Sequence, residues 1–507
     1  MVERWIRPLT LLAMLLPLAA SATSRCERVL ARLGDRLADA TCVESPDLTT
    51  ANPDTTPANN SIPTLPPSAF TPVTDRSVIA PSAGKKTPIT RVVPGVQINA
   101  RIAGDPEGQA RVLLRLPDDW NGRLVVAGAS GTRSEFNGDF AWSDYVVQKG
   151  YAYASQNKGV LNLRIASLNS PTPPNPLACR LNPSSTVWVN FYDNDPGQPF
   201  IRWQLFMGEA ARLARIGVEG LYGHRPRFTY AVGTSNGGYQ VRRAIELYPE
   251  LFDGGVDWEG TEVDARGPNL LTDLPPAILN YPDYLASGRD QASTAAKNIR
   301  AAGYPPDVVL NATTSLWTNY SNSFWEVTQC QWQERLDPTY DTYGAGTGTY
   351  NYFARLSASH VGKEVASFAT TGRITRPLIT VAGTMDGLLP IDHHARAYAR
   401  KVEAALGDRD GDDDHDEGHG RGHGDDGRNR RPEFRLYEVQ NGNHIETYQD
   451  QFAQLELIEP HAQRAFDLLV DRVEGGYPLP ASQCIPRGGT ISGAPTEPGH
   501  CPNLFEP

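Results

Sequence analysis

Past its N-terminus this 507-residue chain contains no apolar run of the ~20 residues that a bilayer crossing takes. It has no excess of positive charge either. The 47 Lys and Arg against 58 Asp and Glu leave a net charge of −11, which argues against nucleic acid or an anionic membrane as partner. Cysteine is sparse, and none of the six, at 26, 42, 179, 330, 484 and 501, stands at metal-ligand spacing from another. The Asp-rich segment 407–431 lacks the Gly and Glu that an EF-hand loop needs, although Asp408, Asp410 and Asp412 alternate and His415, His419 and His423 recur at even intervals. Its composition predicts a solvated, mobile loop with no catalytic part. The chemistry expected of the chain uses neither metal nor cofactor.

The N-terminus carries a targeting pattern. Arg4 and Arg7 give a positive region, Leu11 to Leu18 an apolar one, and Ala20-Ser21-Ala22 a small-residue cleavage site. A cleavable signal peptide over 1–22 is expected, and with it a secreted or periplasmic protein. In an oxidising compartment six cysteines are expected to pair, and proximity favours Cys26–Cys42 and Cys484–Cys501, leaving Cys179 for Cys330.

The chain is organised around Gly233-Thr234-Ser235-Asn236-Gly237-Gly238. Arg227 to Val232 reads as a buried strand, and Val241, Ala244, Ile245 and Tyr248 recur at helical spacing until Pro249. G-x-S-x-G between a strand and a helix is a nucleophile elbow, which exposes a serine Oγ above a parallel sheet. The N–H of Asn236 points where an oxyanion would form.

Around it, strands are expected at 97–102, 110–116, 123–128, 151–155, 254–258, 377–383 and 434–439. Helices are expected at 26–42, with Val29, Leu30, Leu33 and Leu37 on one face, and at 201–216, 394–406 and 462–473. The Pro- and Thr-rich stretch from Thr49 to about Pro88 should lie extended over the surface. This alternation predicts an α/β protein of the α/β-hydrolase fold, a mostly parallel doubly wound sheet with an inserted cap. The expected units are an N-terminal segment 23–96, a catalytic domain 97–260 and 377–480, a cap 261–376, and a tail 481–507.

A serine hydroxyl needs a histidine to take its proton and an acid to hold that histidine in one tautomer. In this fold the acid follows a late strand and the histidine the last one. Asp386 and His444 stand there, with Asp257 and Glu259 as alternative acids after the preceding strand. The second oxyanion donor is expected from the loop Gly128–Gly131, through Ala129, Ser130 or Gly131. Trp258, Trp317, Trp325 and Trp332 are the candidate substrate-binding rings, and Tyr320 and Phe324 belong to the same aromatic cluster. A silent hydrolase fold used only for binding is the rival class. An intact Ser/Asp/His set speaks against it.

With these residues read, the chain resembles the tannase and feruloyl-esterase family of α/β-hydrolases. The likeness rests on Cys26 opening a Leu-rich helix, Trp120-Asn121-Gly122-Arg123-Leu124, Gly150-Tyr151-Ala152-Tyr153-Ala154-Ser155, the elbow with Gly237-Gly238, Pro249-Glu250-Leu251-Phe252-Asp253-Gly254, and Val473-Glu474-Gly475-Gly476 with Pro478. In that family one cysteine precedes the serine and another precedes the histidine. Here Thr234 and Asn443 stand there, so that disulfide cannot form. The Ser-Asn-Gly-Gly core is also similar to that of 3-hydroxybutyrate oligomer hydrolases. Either resemblance implies hydrolysis of a small or oligomeric carboxylic ester.

Overall fold

The computed structural model describes residues 23–57, 75, 85, 87–131, 134–160, 200–337, 339, 340, 350–412 and 432–507. The expected signal peptide, Cys179 and residues 413–431 of the Asp-rich segment lie outside the described residues.

β4 (Arg123–Gly128) is apolar at every position after Arg123 because both of its faces are covered. Leu124 and Val126 join Met207, Val241 and Ile245 on one face, while Val125 and Ala127 join Trp142, Phe466 and Leu469 on the other. Each large apolar side chain buried this way contributes roughly 1.5–3 kcal/mol. Among the described residues the sheet holds ten strands in the order β1-β2-β3-β5-β4-β6-β7-β8-β9-β10. The others are β1 (Leu37–Ser45), β2 (Gly95–Ile102), β3 (Arg111–Pro117), β5 (Ala152–Gln156), β6 (Phe228–Thr234), β7 (Gly254–Trp258), β8 (Leu378–Gly383), β9 (Phe434–Val439) and β10 (Gln483–Ile485). β1, β2, β3 and β5 pair antiparallel, and from β5 to β10 every pair is parallel. The sheet is thus doubly wound and mostly parallel, with an antiparallel leader.

Between β7 and β8 the described chain is largely helical, with Leu270–Ala286 and Glu326–Leu336 the longest pieces. Its apolar side chains, among them Leu274, Tyr281, Trp317, Tyr320 and Trp325, form a third buried cluster separate from the two under the sheet.

Four expectations need correction. The helix expected over 26–42 ends at Leu33, where Gly34 turns to φ +57, and Leu37 instead opens β1. The Cys26–Cys42 disulfide therefore ties a helix to a strand, with the Cα atoms 5.7 Å apart. The Thr49–Pro88 stretch does not lie wholly on the surface, since Thr49, Thr55 and Thr56 are buried. The side chains or carbonyls of Thr55 and Thr56 serve the buried Arg115 guanidinium, which needs acceptors. The tail contributes β10, too short for its pattern to register, and the Cys484–Cys501 disulfide holds it. The helix after β8 is Ala395–Asp412, so the first residues of the Asp-rich segment extend it. The helices expected at 201–216 and 462–473 run Ile201–Tyr222 and Glu459–Gly475. Cys330 lies on the helix Glu326–Leu336, and its expected partner Cys179 is outside the described residues.

Candidate active site

β6 ends at Thr234 and a helix begins at Asn236, which leaves Ser235 to make the turn at φ +60. A side-chain residue held there stores about 1–3 kcal/mol, kept in place only by the surrounding packing. The packing is tight enough to require glycine. A Cβ on Gly233 would sit 2.4 Å from the Gly237 backbone, and one on Gly237 2.4 Å from the Gly128 carbonyl. Strand, turn and helix thus interlock, and they hold Ser235 at the cavity wall.

The loop after β9 brings His444 to this point, and the loop after β8 brings Asp386. His444 Nε2 lies 3.1 Å from Ser235 Oγ, and Nδ1 lies 2.8 Å from Asp386 Oδ2. A carboxylate only accepts, so the Nδ1 proton points at Asp386 and the Nε2 lone pair at the serine. Asp386 is fixed in turn, since its Oδ1 accepts the Leu388 and Leu389 N–H groups at 2.7 Å each. All three residues are buried.

The two alternative acids part company. Asp257 is bound to the Arg242 guanidinium at 2.6 Å and the Thr380 hydroxyl at 2.8 Å, and it makes no contact with His444. Glu259 is in the site, its Oε2 3.4 Å from His444 Nδ1. By spacing alone Glu259, Asp386 and His444 could enclose a cation, as their ligand-type atoms lie within 4.8 Å of one another. A cation would displace the Nδ1 proton, whereas the 2.8 Å contact with Asp386 leaves Ser235 with a base.

Asn443 stands where the resemblance implies a cysteine. Its Oδ1 accepts the Tyr320 hydroxyl at 2.9 Å and the Ile445 N–H at 3.1 Å, and its amide donates to the Met385 carbonyl. One amide thus ties the His444 loop to the Asp386 loop and to the helical insertion. Asn443→Ala is expected to lower the melting temperature and to reduce kcat by about tenfold or more, since misplacing a catalytic group by about 1 Å costs on the order of 10²-fold. Unchanged melting and turnover would refute this tethering role.

Asn236 is the first residue of its helix, so its N–H has no partner within the helix, and Asn236 lines the cavity. In the loop after β4, the Ser130 N–H is already donated to Asn137 Oδ1 at 2.7 Å, and the Ala129 carbonyl accepts from Gln240 at 2.7 Å. Ala129 does not line the cavity, whereas Gly131 does. Of the three expected donors Ser130 and Gly131 line the cavity with Ser235, and only the Ser130 N–H is seen donated elsewhere.

The cavity above Ser235 has a volume of about 130 Å³, and its aromatic walls are Trp142, Phe200, Trp203, Phe324 and Trp332. Trp332 is the one of the four expected tryptophans that lines it. Trp258 points into the core beneath the sheet, edge-on to Trp142 at 6.3 Å. Trp317 donates its indole N–H to the Pro305 carbonyl at 3.0 Å, and Trp325 donates to the Gly387 carbonyl at 2.7 Å. Both are fully buried inside the insertion, where a partnered N–H makes an indole a stable core residue. Sequence reasoning missed Phe200, Trp203 and Trp142 as cavity residues. Trp203 had a signal, an aromatic on the inner face of a helix, but that pattern fits core and cavity equally.

A mostly parallel sheet wound on both faces, with a serine at a strand-to-helix turn beneath a helical insertion, is the α/β-hydrolase fold. No family model matches the chain. In structure it is similar to feruloyl esterase B from Aspergillus oryzae, with a TM-score of 0.50 at 12% identity over 90% of this chain and 91% of that one. Tannin acyl hydrolase from Aspergillus niger superposes with a TM-score of 0.45 at 12% identity, over 95% of this chain and 92% of that one. In sequence it is 27% identical over 145 residues to a D-(-)-3-hydroxybutyrate oligomer hydrolase of Burkholderia thailandensis. That match covers 27% of this chain and 17% of the relative, so it spans about a sixth of the relative's length.

Proposed function

We propose that the protein is an exported serine carboxylester hydrolase whose preferred substrates carry an aromatic acyl group. The observation that carries the reading is the run of contacts from Asp386 through His444 to Ser235 Oγ, ending at an aromatic-walled cavity. Ser235 Oγ attacks the ester carbonyl carbon while His444 Nε2 takes its proton. The N–H groups of Asn236 and Gly131 hold the oxyanion, a contribution of roughly 2.7–4 kcal/mol for one such donor. The ester C–O bond then breaks, and the alcohol leaves with the proton from Nε2. Water deprotonated by His444 cleaves the acyl-enzyme, and Asp386 stabilises the imidazolium in both halves. The insertion 261–376 acts as a cap that closes the acyl pocket. Export is supported by the targeting pattern of residues 1–22 and by two disulfides.

Three side chains carry the specificity. Phe200, Trp203 and Trp332 pack together, with centroids 4.3 Å apart for Phe200 and Trp203 and 5.1 Å for Phe200 and Trp332. They present an apolar aromatic face to the acyl group. Trp332→Ala and Trp203→Ala are expected to lower kcat/KM on an aromatic ester by about 10- to 200-fold relative to a short aliphatic one. Trp317→Ala, inside the insertion, should lower stability by roughly 3–5 kcal/mol and leave that ratio alone. An unchanged ratio in both cavity variants would remove the aromatic-acyl reading.

The sequence match to a 3-hydroxybutyrate oligomer hydrolase favours a second reading, the same mechanism on short polyester chains. A hydrolysis panel of gallate, ferulate, hydroxybutyrate-trimer and p-nitrophenyl esters separates them. Faster turnover of gallate or ferulate supports the first reading, and faster turnover of the trimer supports the second.

A further inference from the structure

Glu259 is the one group at His444 that the mechanism above leaves without a task. It follows β7 at φ +52, a left-handed conformation uncommon for a residue with a side chain. Its own N–H donates to the Val381 carbonyl at 2.8 Å, and its Oε1 accepts the Gly383 N–H at 3.1 Å, so it is strapped across β8. Oε2 makes no hydrogen bond among the described residues and faces His444 Nδ1 at 3.4 Å. Asp386 flanks the same nitrogen at 2.8 Å.

Two buried carboxyls this close do not both ionise readily, and the better solvated one keeps the charge. Asp386 accepts two backbone N–H groups and the imidazole, whereas Glu259 accepts one backbone N–H. Burial first, and then the Asp386 charge, push the Glu259 carboxyl well above the ordinary carboxylate range. The other groups facing it are His444, Glu446 behind the site, the Tyr320 hydroxyl and the Trp258 indole.

We infer that Glu259 is a positioning residue for His444, a reserve acceptor that takes over the Nδ1 proton contact when Asp386 is removed. The inference rests on the serine-esterase reading. In the intact enzyme Glu259 is a neutral acid beside the Asp386 carboxylate. Without Asp386 it releases its proton to solvent, and the anion accepts Nδ1–H. The Nε2 lone pair then still faces Ser235.

The order of two Asp386 variants tests this on the full chain, with a p-nitrophenyl ester. In Asp386→Asn the carboxamide can donate to Nδ1 and force the proton onto Nε2, so Glu259 cannot help. In Asp386→Ala it can. Asp386→Ala is therefore expected to retain about tenfold or more higher kcat than Asp386→Asn, at unchanged KM. Adding Glu259→Gln to Asp386→Ala should return it to the Asp386→Asn level, while Glu259→Gln alone costs less than about tenfold. The acid limb of Asp386→Ala should lie at higher pH than that of the intact enzyme, because Glu259 accepts Nδ1–H only when ionised, and burial, the first cause of its raised carboxyl, persists without Asp386. Asp386→Ser, which keeps an acceptor for the Leu388 and Leu389 N–H groups, serves if Asp386→Ala does not fold.

Folded Asp386→Ala and Asp386→Ser enzymes no faster than Asp386→Asn would overturn the inference, as would a double variant no slower than Asp386→Ala. Ser235→Ala, run alongside, separates the two failures. If it keeps turnover, the serine-esterase reading itself is wrong. If it is dead and the Asp386 variants show no order, only the role of Glu259 falls.

Discussion

Ser235→Ala and His444→Ala are each expected to lower kcat by about 10⁴- to 10⁶-fold on any ester the enzyme cleaves, with the fold retained. The two should be nearly equal, because a hydroxyl without its base is as poor a nucleophile as no hydroxyl at all. The double variant should cost no more than either single one, since the pair acts as a unit. Asp386→Asn belongs to the same series at on the order of 10³- to 10⁴-fold. Both side chains are polar, buried and at the cavity wall. Melting curves should therefore stay close to the parent's. Steady-state kinetics on purified variants check this, and a His444→Ala enzyme within about tenfold of the parent would dismantle the mechanism.

Arg115→Met is expected to destabilise the protein by roughly 3–5 kcal/mol. Arg115 is fully buried on β3. It donates to Asp139 at 2.9 and 3.0 Å, to Ser143 at 2.7 Å, to Gln97 at 3.0 Å, and to the Thr55 carbonyl and Thr56 hydroxyl at 2.8 and 2.9 Å. Asp139, equally buried, opens the helical turn Asp139–Ser143 that carries Trp142 to the cavity. Burial raises the Asp139 carboxyl above its ordinary 3.8, and Arg115 opposes that rise. Removing Arg115 raises it further. A group whose folded value is raised loses stability as pH climbs from its unfolded value through its folded one. The deficit of Arg115→Met should therefore be larger near pH 8 than near pH 4, where a protonated Asp139 no longer leaves a buried charge. Arg115→Met with Asp139→Leu should recover much of the loss. Thermal melts of the three proteins at both pH values decide it. A deficit independent of pH would mean that Asp139 is not the group left stranded.

The elbow was legible because its demands are local. A strand, two glycines forced by close backbone approach and a helix all fall within one short stretch of chain. Asp386 and His444 were legible because the fold puts them at strand ends that apolar runs mark. Glu259 stood among the alternatives, but nothing in its neighbourhood in the chain separates it from Asp257. One is turned by a positive φ toward His444, while the other meets Arg242 across the helix. The aromatic rings show the same limit. Composition flags a cluster in 261–376, yet Trp317 and Trp325 are taken into the core by carbonyls at Pro305 and Gly387 that no periodicity reveals. The cavity instead draws on Trp203 and Phe200, outside the insertion. Arg115 escaped notice because an arginine in a strand reads as an edge or surface residue until its six acceptor contacts are seen. The first helix stops at Leu33 although Leu37 continues the apolar spacing, because the backbone turns at Gly34.

The most direct test of the central claim is labelling with a fluorophosphonate, followed by peptide mapping. Only a serine whose proton is drawn off by a histidine reacts quickly with this reagent. The account predicts one labelled site, Ser235, with ester hydrolysis lost in proportion to labelling and no labelling in His444→Ala. Labelling at another serine, or hydrolysis that survives full modification of Ser235, would contradict it.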